Sequence, residues 1–82
     1  MTRISSHASD RLQQRMRCVK GHPVEFLISL WNRGQQATMG DFEQFQVARR
    51  QGRRYRVVQH ERRLYMLVRD SADGEFITVI KL

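Results

Sequence analysis

The N-terminal residues carry an apolar stripe with the repeat of an α-helix. Apolar side chains recur there at steps of four and three residues: Ala8, Leu12, Met16 and Val19. This spacing predicts an amphipathic helix over about residues 7–19. Ser6 is expected as its N-cap, because a serine hydroxyl can accept a hydrogen bond from a free backbone N–H at a helix start.

A second helix is predicted between Pro23 and Gly34. Proline suits the first helical position, where its missing N–H costs nothing, and glycine after a helical stretch is a stop signal. The apolar residues of this segment surround the helix on nearly all sides: Val24, Phe26, Leu27, Ile28, Leu30 and Trp31. Such a helix is either largely buried or meets a partner with its second face.

From Phe42 onward the repeat changes to two, which is typical of β-strands. Alternation predicts strands over residues 45–50, 54–59, 64–69 and 76–81. Turn signals separate them at Gln51-Gly52, at the charged residues 60–62 and at Asp73-Gly74. Three hairpin connections in a row predict a four-stranded antiparallel meander. Residues 35–41 show no clear repeat.

Together these patterns predict an α+β fold, with two N-terminal helices packed on a four-stranded antiparallel sheet. A chain of 82 residues is expected to form one domain over residues 1–82. One sheet face should carry the helices and the other should be at least partly open to solvent. We expect these residues in the core: Leu12, Leu27, Trp31, Val57, Leu67 and Val79. The core is modest, so a homodimer is one expected route to stability.

The charge balance points to an anionic partner. The chain has 15 basic and 8 acidic residues, a formal net charge of +7, and 13 of the 15 basic residues are arginine. Arginine offers a planar fork that binds phosphate bidentately and stacks on bases. RNA or another nucleic acid is therefore the first expected partner. An anionic lipid surface and an acidic partner protein remain open alternatives.

Other classes of site find little support in the sequence. The single cysteine, Cys18, cannot form an intrachain disulfide or a tetrahedral zinc site alone, and we expect it to be a small packing residue. No phosphate-binding glycine loop or metal motif is present, so we expect no cofactor. No apolar run is long enough to span a bilayer, so no segment that crosses a membrane is expected. Together with the low cysteine content, this favours a cytoplasmic protein.

A row of polar residues borders the stripe of the first helix. His7, Arg11 and Arg15 follow one another at steps of four, so they lie along one edge of the helix. A histidine and two arginines in a row can hold a phosphate and move a proton beside it. The alternative is a solvated helix flank whose arginine stems cover apolar surface.

A second basic cluster lies in the predicted sheet, around the turn at Gln51-Gly52. Its candidate nucleic-acid-binding residues are Arg49, Arg50, Arg53, Arg54 and Arg56, with Tyr55 and Tyr65 interleaved. Arginines that contact phosphates and aromatic rings that stack on bases are the means by which proteins bind single strands. The alternatives are arginines that protect edge strands from aggregation and tyrosines half-buried in the sheet.

The two ends of the chain resemble a known family. The motif Ser6-His7-Ala8-x-x-Arg11-x-x-x-Arg15 and the closing strand Phe76-Ile77-Thr78-Val79-Ile80 are similar to small bacterial and phage domains of unknown function. Those domains begin with an S-x-H-A-x-x-R helix, end in an I-T-V strand, and are grouped with RelE- and barnase-like RNase toxins. The resemblance implies four catalytic candidates: His7, Arg11, Arg15 and Thr78. Residues 35–41 show no match to the family's corresponding loop.

Two functional hypotheses follow. The first is a metal-independent ribonuclease of the toxin–antitoxin kind, in which His7 is the general acid or base. Arg11, Arg15 and Arg56 would hold the phosphate, Thr78 would orient it, and an acidic antitoxin would be the protein partner. The second is a non-catalytic phage or mobile-element module that binds nucleic acid or a host protein, with a surface formed by Phe26, Leu30 and Trp31.

Overall fold

The fold is α+β, with three helices and a four-stranded antiparallel sheet. The computed structural model describes residues 2–16 and 22–82. Its elements, in chain order, are α1 (Ser6–Arg15), α2 (Pro23–Arg33), β1 (Gln35–Gln36), α3 (Met39–Phe45), β2 (Arg53–His60), β3 (Arg63–Asp70) and β4 (Phe76–Lys81). The predicted fold class is confirmed, although α3 was not predicted.

The strands lie in the order β1-β2-β3-β4, and each neighbouring pair is antiparallel. Two of the three predicted hairpins are present, because β2–β3 and β3–β4 are joined by short turns. In the first hairpin every residue of β2 has a partner in β3, from Arg53↔Asp70 to His60↔Arg63. A bulge interrupts the β3–β4 pairing between Val68 and Arg69.

Helix α1 is tied to the start of β4 through its N-cap. The cap is Ser5 and not the predicted Ser6. The Ser5 hydroxyl accepts a hydrogen bond from the Ala8 N–H (3.0 Å) and donates one to the carbonyl of Ile77 (2.9 Å), while the Ser5 N–H donates to the carbonyl of Phe76 (2.9 Å). One serine therefore both begins the helix and fixes it to the sheet.

Helix α1 ends at Arg15, earlier than the predicted residue 19. The predictions for Cys18 and Val19 fall outside the described residues. Of the described apolar stripe, Ala8, Leu12 and Met16 are all buried, which confirms the phase of the helix.

Helix α2 begins and ends where the sequence predicts, with Pro23 at its start and Gly34 as its C-cap. Its apolar residues do not form the exposed docking surface considered above. Leu30 and Trp31 are buried, and the partly buried Phe26 ring packs edge-on against His60 with 5.5 Å between ring centroids. The proposed Phe26, Leu30 and Trp31 surface is therefore wrong, because these side chains already have partners within the fold.

The predicted first strand, residues 45–50, is not a strand. Its start lies in α3, and the first strand of the sheet is instead β1, in the segment that shows no repeat. A capping box begins α3: the Thr38 hydroxyl accepts from the Asp41 N–H (3.3 Å) and the Asp41 carboxylate accepts from the Thr38 N–H (2.8 Å). Phe42 and Phe45, three residues apart, then lie on one face of the helix.

The sheet has apolar packing on both faces. On one face, α1 and α2 cover a cluster that contains Leu12, Leu27, Trp31, Leu67 and Val79, as predicted. On the other face, α3 packs over a second cluster that contains Phe45, Tyr55, Met66 and Val68, with Val57 partly buried beside them. The face expected to be at least partly open to solvent is partly covered by α3. None of the described helices is long and apolar enough to cross a membrane.

Candidate nucleic-acid interface

A groove of about 300 Å³ runs over the edge of the sheet beside the first residues of β2. Its walls combine arginines, aromatic rings and small or polar residues: Trp31, Gln36, Ala37, Phe42, Arg49, Arg53, Arg54, Tyr55 and Arg56. We call this the arginine groove. It brings together four of the five arginines predicted from the sequence to bind nucleic acid.

The shortness of β1 creates the groove. The two residues of β1 pair with Val57 and Arg56 of β2, and the Ala37 N–H then donates to the carbonyl of Tyr55 (3.0 Å) before the chain turns into α3. Arg53 and Arg54 extend beyond this short pairing, so their backbone meets a strand on the β3 side alone. Because successive residues of a strand point to opposite faces, the two arginines reach around the two sides of one open edge.

The groove arginines differ in their charge partners. Arg53 forms an ion pair with Asp70, its cross-strand partner, at 3.1 Å. Among the residues that the structure describes, Arg49, Arg54 and Arg56 form no ion pair with a carboxylate. Arg49 and Arg54 are also exposed. The groove therefore holds an excess of positive charge that an anion can neutralise.

Two guanidinium groups lie over the indole ring of Trp31. The Cζ atom of Arg56 lies 4.7 Å from the centroid of the indole ring, and that of Arg69 lies 5.1 Å from it. Arg56 also donates a hydrogen bond to the backbone carbonyl of Trp31 (2.8 Å). Gly34 permits this approach of α2 to β2, because a Cβ atom there would lie 3.1 Å from the carbonyl oxygen of Val57.

Arg69 lies on the same face of the sheet as Arg54 and Arg56. It is the cross-strand partner of Arg54, and its guanidinium also lies over the ring of Phe76 at 4.5 Å. Burial lowers the pKa of Arg69, and the neighbouring charges of Arg54 and Arg56 lower it further. Gly74 accepts a hydrogen bond from Arg69 Nε (2.9 Å), and a Cβ at Gly74 would lie 2.9 Å from a terminal nitrogen of that guanidinium.

The remaining residues of the predicted nucleic-acid set lie elsewhere or are buried. Arg50 lines an adjoining depression around the Gln51-Gly52 turn, which shares Arg49 and Arg53 with the groove. Tyr55 borders the groove but is 8% exposed, and its hydroxyl accepts from the Arg50 N–H (3.0 Å). Tyr65 is 3% exposed and donates to the carbonyl of Arg15 (3.1 Å). The prediction that the two tyrosines stack on bases is therefore wrong, because neither ring has an open face.

The four catalytic candidates do not converge on one point. His7 is exposed in the first turn of α1, and Arg11 is partly exposed and bonded to the side chain of Gln14 (3.3 Å). Arg15 donates to the carbonyl of Val79 (3.0 Å), which fixes the end of α1 to β4. Thr78 is paired with Val68, whose side chain packs in the cluster beneath α3.

Thr78 therefore lies on the sheet face opposite to α1. The neighbouring Val79 packs against Leu12 on the α1 side, and alternation places Thr78 on the other side. The bulge between Val68 and Arg69 shifts the β3–β4 register and so determines the face of the sheet on which Thr78 lies. The constellation of His7, Arg11, Arg15 and Thr78 expected from the family resemblance is corrected accordingly: the helix row and the threonine are separated by the sheet.

Five residues in or beside the groove lie outside the predicted nucleic-acid-binding set: Trp31, Gln36, Ala37 and Phe42 line it, and Arg69 lies beside it. Alternation places Arg54 and Arg56 on one face of β2, and this signal was present in the sequence. The pairing of Arg54 with Arg69 depends on the register of the β2–β3 hairpin, and the alternation of residues does not determine that register.

Comparisons of the chain with protein-family models, with curated proteins and with solved structures give no match. Within residues 2–16 and 22–82, no three His, Cys, Asp or Glu side chains are grouped so that they could hold a metal ion. The arginine groove offers cationic side chains, of which only Arg53 is paired with a described carboxylate.

Proposed function

We propose that this protein binds RNA through the arginine groove. One observation carries the proposal: four arginines line a single groove, and only Arg53 among them is paired with a described carboxylate. Contacts between arginine and phosphate supply most of the affinity in such interfaces. The exposed Arg49 and Arg54 are the side chains most free to make them. We further propose that the protein acts on RNA in the cytoplasm.

The shape of the groove favours a single strand over a duplex. It bends over one sheet edge, and no described helix stands clear of the fold to enter a major groove, because α1 and α2 pack against one sheet face and α3 against the other. A flexible single strand can follow a bent groove with its phosphates. An acidic protein of the antitoxin kind is the competitor that the same arginines would attract.

The test is the affinity for a fluorescein-labelled RNA of twelve nucleotides, measured by anisotropy at low salt. The variant Arg49→Gln/Arg54→Gln should bind about tenfold more weakly or worse, because it loses two charge-assisted contacts. The matched control, Arg62→Gln/Arg63→Gln, removes the same charge about 20 Å away from Arg54 along the hairpin and should bind nearly as wild type. Equal losses in both variants would mean that only net charge matters, and the groove would not be the interface.

A metal-independent ribonuclease is the second candidate, and the position of α1 favours it. The N-cap of α1 is bonded to Phe76, and Phe76 lies under Arg69, so His7 stands at the same end of the sheet as the groove cations. A strand bound in the groove could extend over β4 towards His7. There His7 would act as the general acid or base and the arginines would stabilise the phosphorane.

Cleavage of the same RNA in the presence of EDTA tests this second candidate. His7→Gln should lower the rate by about 10²–10⁴ and leave RNA binding unchanged. If the wild type cleaves no RNA, or if the His7→Gln variant cleaves equally well, the protein is a binding module of the phage or mobile-element kind.

A further inference from the structure

Three arginines lie on the face of the sheet that Trp31 packs against. Arg54 and Arg69 are directly opposed across the β2–β3 ladder, while Arg56 and Arg69 lie over the indole ring of Trp31. We call Arg54, Arg56 and Arg69 the Trp31 cluster. The Trp31 cluster shares Arg54 and Arg56 with the arginine groove, and Arg69 extends the cluster onto β3.

The cluster is electrostatically unfavourable as it stands. Like charges directly opposite each other in an antiparallel pair destabilise a sheet. Within the described residues, no carboxylate pairs with any member of the cluster. Burial lowers the pKa of Arg69, and the charges of Arg54 and Arg56 lower it further. Arg53 shows the contrast. It is next to Arg54 on β2 but lies on the other face of the sheet, where it forms an ion pair with Asp70 at 3.1 Å. A bound anion would relieve the repulsion.

Two of the three guanidinium groups, those of Arg56 and Arg69, are also held in place before any ligand arrives. Arg56 donates to the Trp31 carbonyl (2.8 Å) and Arg69 donates through Nε to the Gly74 carbonyl (2.9 Å). Stacking on an aromatic ring uses the face of a guanidinium and leaves its remaining N–H edges for other acceptors. Donors fixed in this way lose little conformational entropy on binding.

We propose that the Trp31 cluster binds a phosphate monoester dianion, at an end of the RNA strand that the arginine groove holds. A phosphodiester inside a strand carries one negative charge, whereas a terminal monoester carries about 1.5 to 2 at neutral pH. Three guanidinium groups without a carboxylate match the dianion better. The assignment of the dianion to an RNA end rests on the proposed function, but the preference for a dianion does not.

The first experiment uses Trp31 as its own reporter, because it is the one tryptophan of the chain. Indole emission is titrated with methyl phosphate, a dianion, and with dimethyl phosphate, a monoanion, at constant ionic strength. Methyl phosphate should bind about tenfold tighter or more. Arg54→Gln should abolish the difference, whereas Arg63→Gln should keep it. Equal affinities for the two esters, or a preference that survives in Arg54→Gln, would overturn the proposal.

Arg69→Gln tests the cluster more directly, because Arg69 does not line the arginine groove. This variant also removes the contact between Arg69 and the buried Phe76 ring. Arg54 is exposed, so Arg54→Gln keeps the test valid if Arg69→Gln fails to fold.

The second experiment compares one RNA sequence with a 5′-phosphate, with a 3′-phosphate and with neither. Tighter binding of one phosphorylated form by the wild type, lost in Arg54→Gln, supports the assignment to an RNA end. Equal binding of all three RNAs overturns that assignment and leaves RNA binding by the groove intact. If no RNA binds while methyl phosphate is still preferred, the proposed RNA-binding function fails and the dianion site stands.

Discussion

Removal of the positive charge at Arg54 should stabilise the fold, although it weakens the binding of anions. Arg54 lies opposite Arg69 in the β2–β3 ladder. A directly opposed pair of like charges costs about 0.2–1 kcal/mol. Arg54→Gln keeps most of the side-chain stem and removes the charge, so the free energy of unfolding should rise by about that amount.

Urea denaturation, followed by the emission of Trp31, can resolve this gain. For a small domain with a slope of about 1 kcal/mol per molar urea, the midpoint should rise by about 0.2–1 M. The gain should shrink in 1 M NaCl, where the screening length falls to about 3 Å from about 10 Å at 0.1 M. The salt dependence separates relief of repulsion from a change in packing.

The neighbouring residue supplies a matched control of opposite sign. Arg53 has the same side chain and the next position on β2, but it points to the other face and pairs with Asp70 at 3.1 Å. Arg53→Gln should therefore lower the urea midpoint. If Arg54→Gln lowers the midpoint as Arg53→Gln does, the repulsion argued for the Trp31 cluster is absent and our account of its charges is wrong.

Three further predictions concern the scaffold. Leu12 is fully buried, so Leu12→Ala should cost about 2–5 kcal/mol and lower the Tm by at least about 8 °C in calorimetry; a shift of one or two degrees would contradict its place in the core. Glu61 and Arg62 adopt φ angles of 50° and 68°, so an Asn-Gly pair in their place should raise the Tm by a few degrees, and an unchanged Tm would mean that this turn is unstrained. A hydrogen bond from the backbone N–H of Asp73, the largest cause, lowers the pKa of Asp70. The stability that this bond supplies is present above the unfolded pKa of about 3.9 and is lost as the pH falls through the lower folded pKa; Asp70→Asn should flatten this acid loss in pH-dependent unfolding, and an identical acid slope would contradict it.

The helices and hairpins that the sequence predicts correctly are those with strong local signals. Pro23 and Gly34 mark the ends of α2, and the Asp73-Gly74 pair marks the turn before β4. Helix α3 was missed because seven residues are too few to show a helical repeat. The sequence signal for α3 is the capping box of Thr38 and Asp41. The two-residue alternation that follows it favours a strand over residues 45–50 instead.

The candidate site was predictable in composition and not in geometry. The arginines around Gln51-Gly52 are evident in the sequence, and alternation separates Arg53 from Arg54. The opposition of Arg54 and Arg69 depends on the hairpin register, and the face of Thr78 depends on a bulge. Both are set by long-range pairing, which no local pattern encodes.

The salt dependence of RNA binding tests the central claim most directly. Each phosphate contact on a single strand adds about 0.7 to the slope of log K against log salt, so the four groove arginines predict a wild-type slope of about −2.8. Arg49→Gln/Arg54→Gln should reduce the magnitude of that slope by about 1.4, while Arg62→Gln/Arg63→Gln should keep the wild-type slope. An unchanged slope in the groove variant, or an equal decrease in the control, would contradict the assignment of the arginine groove as the RNA-binding surface.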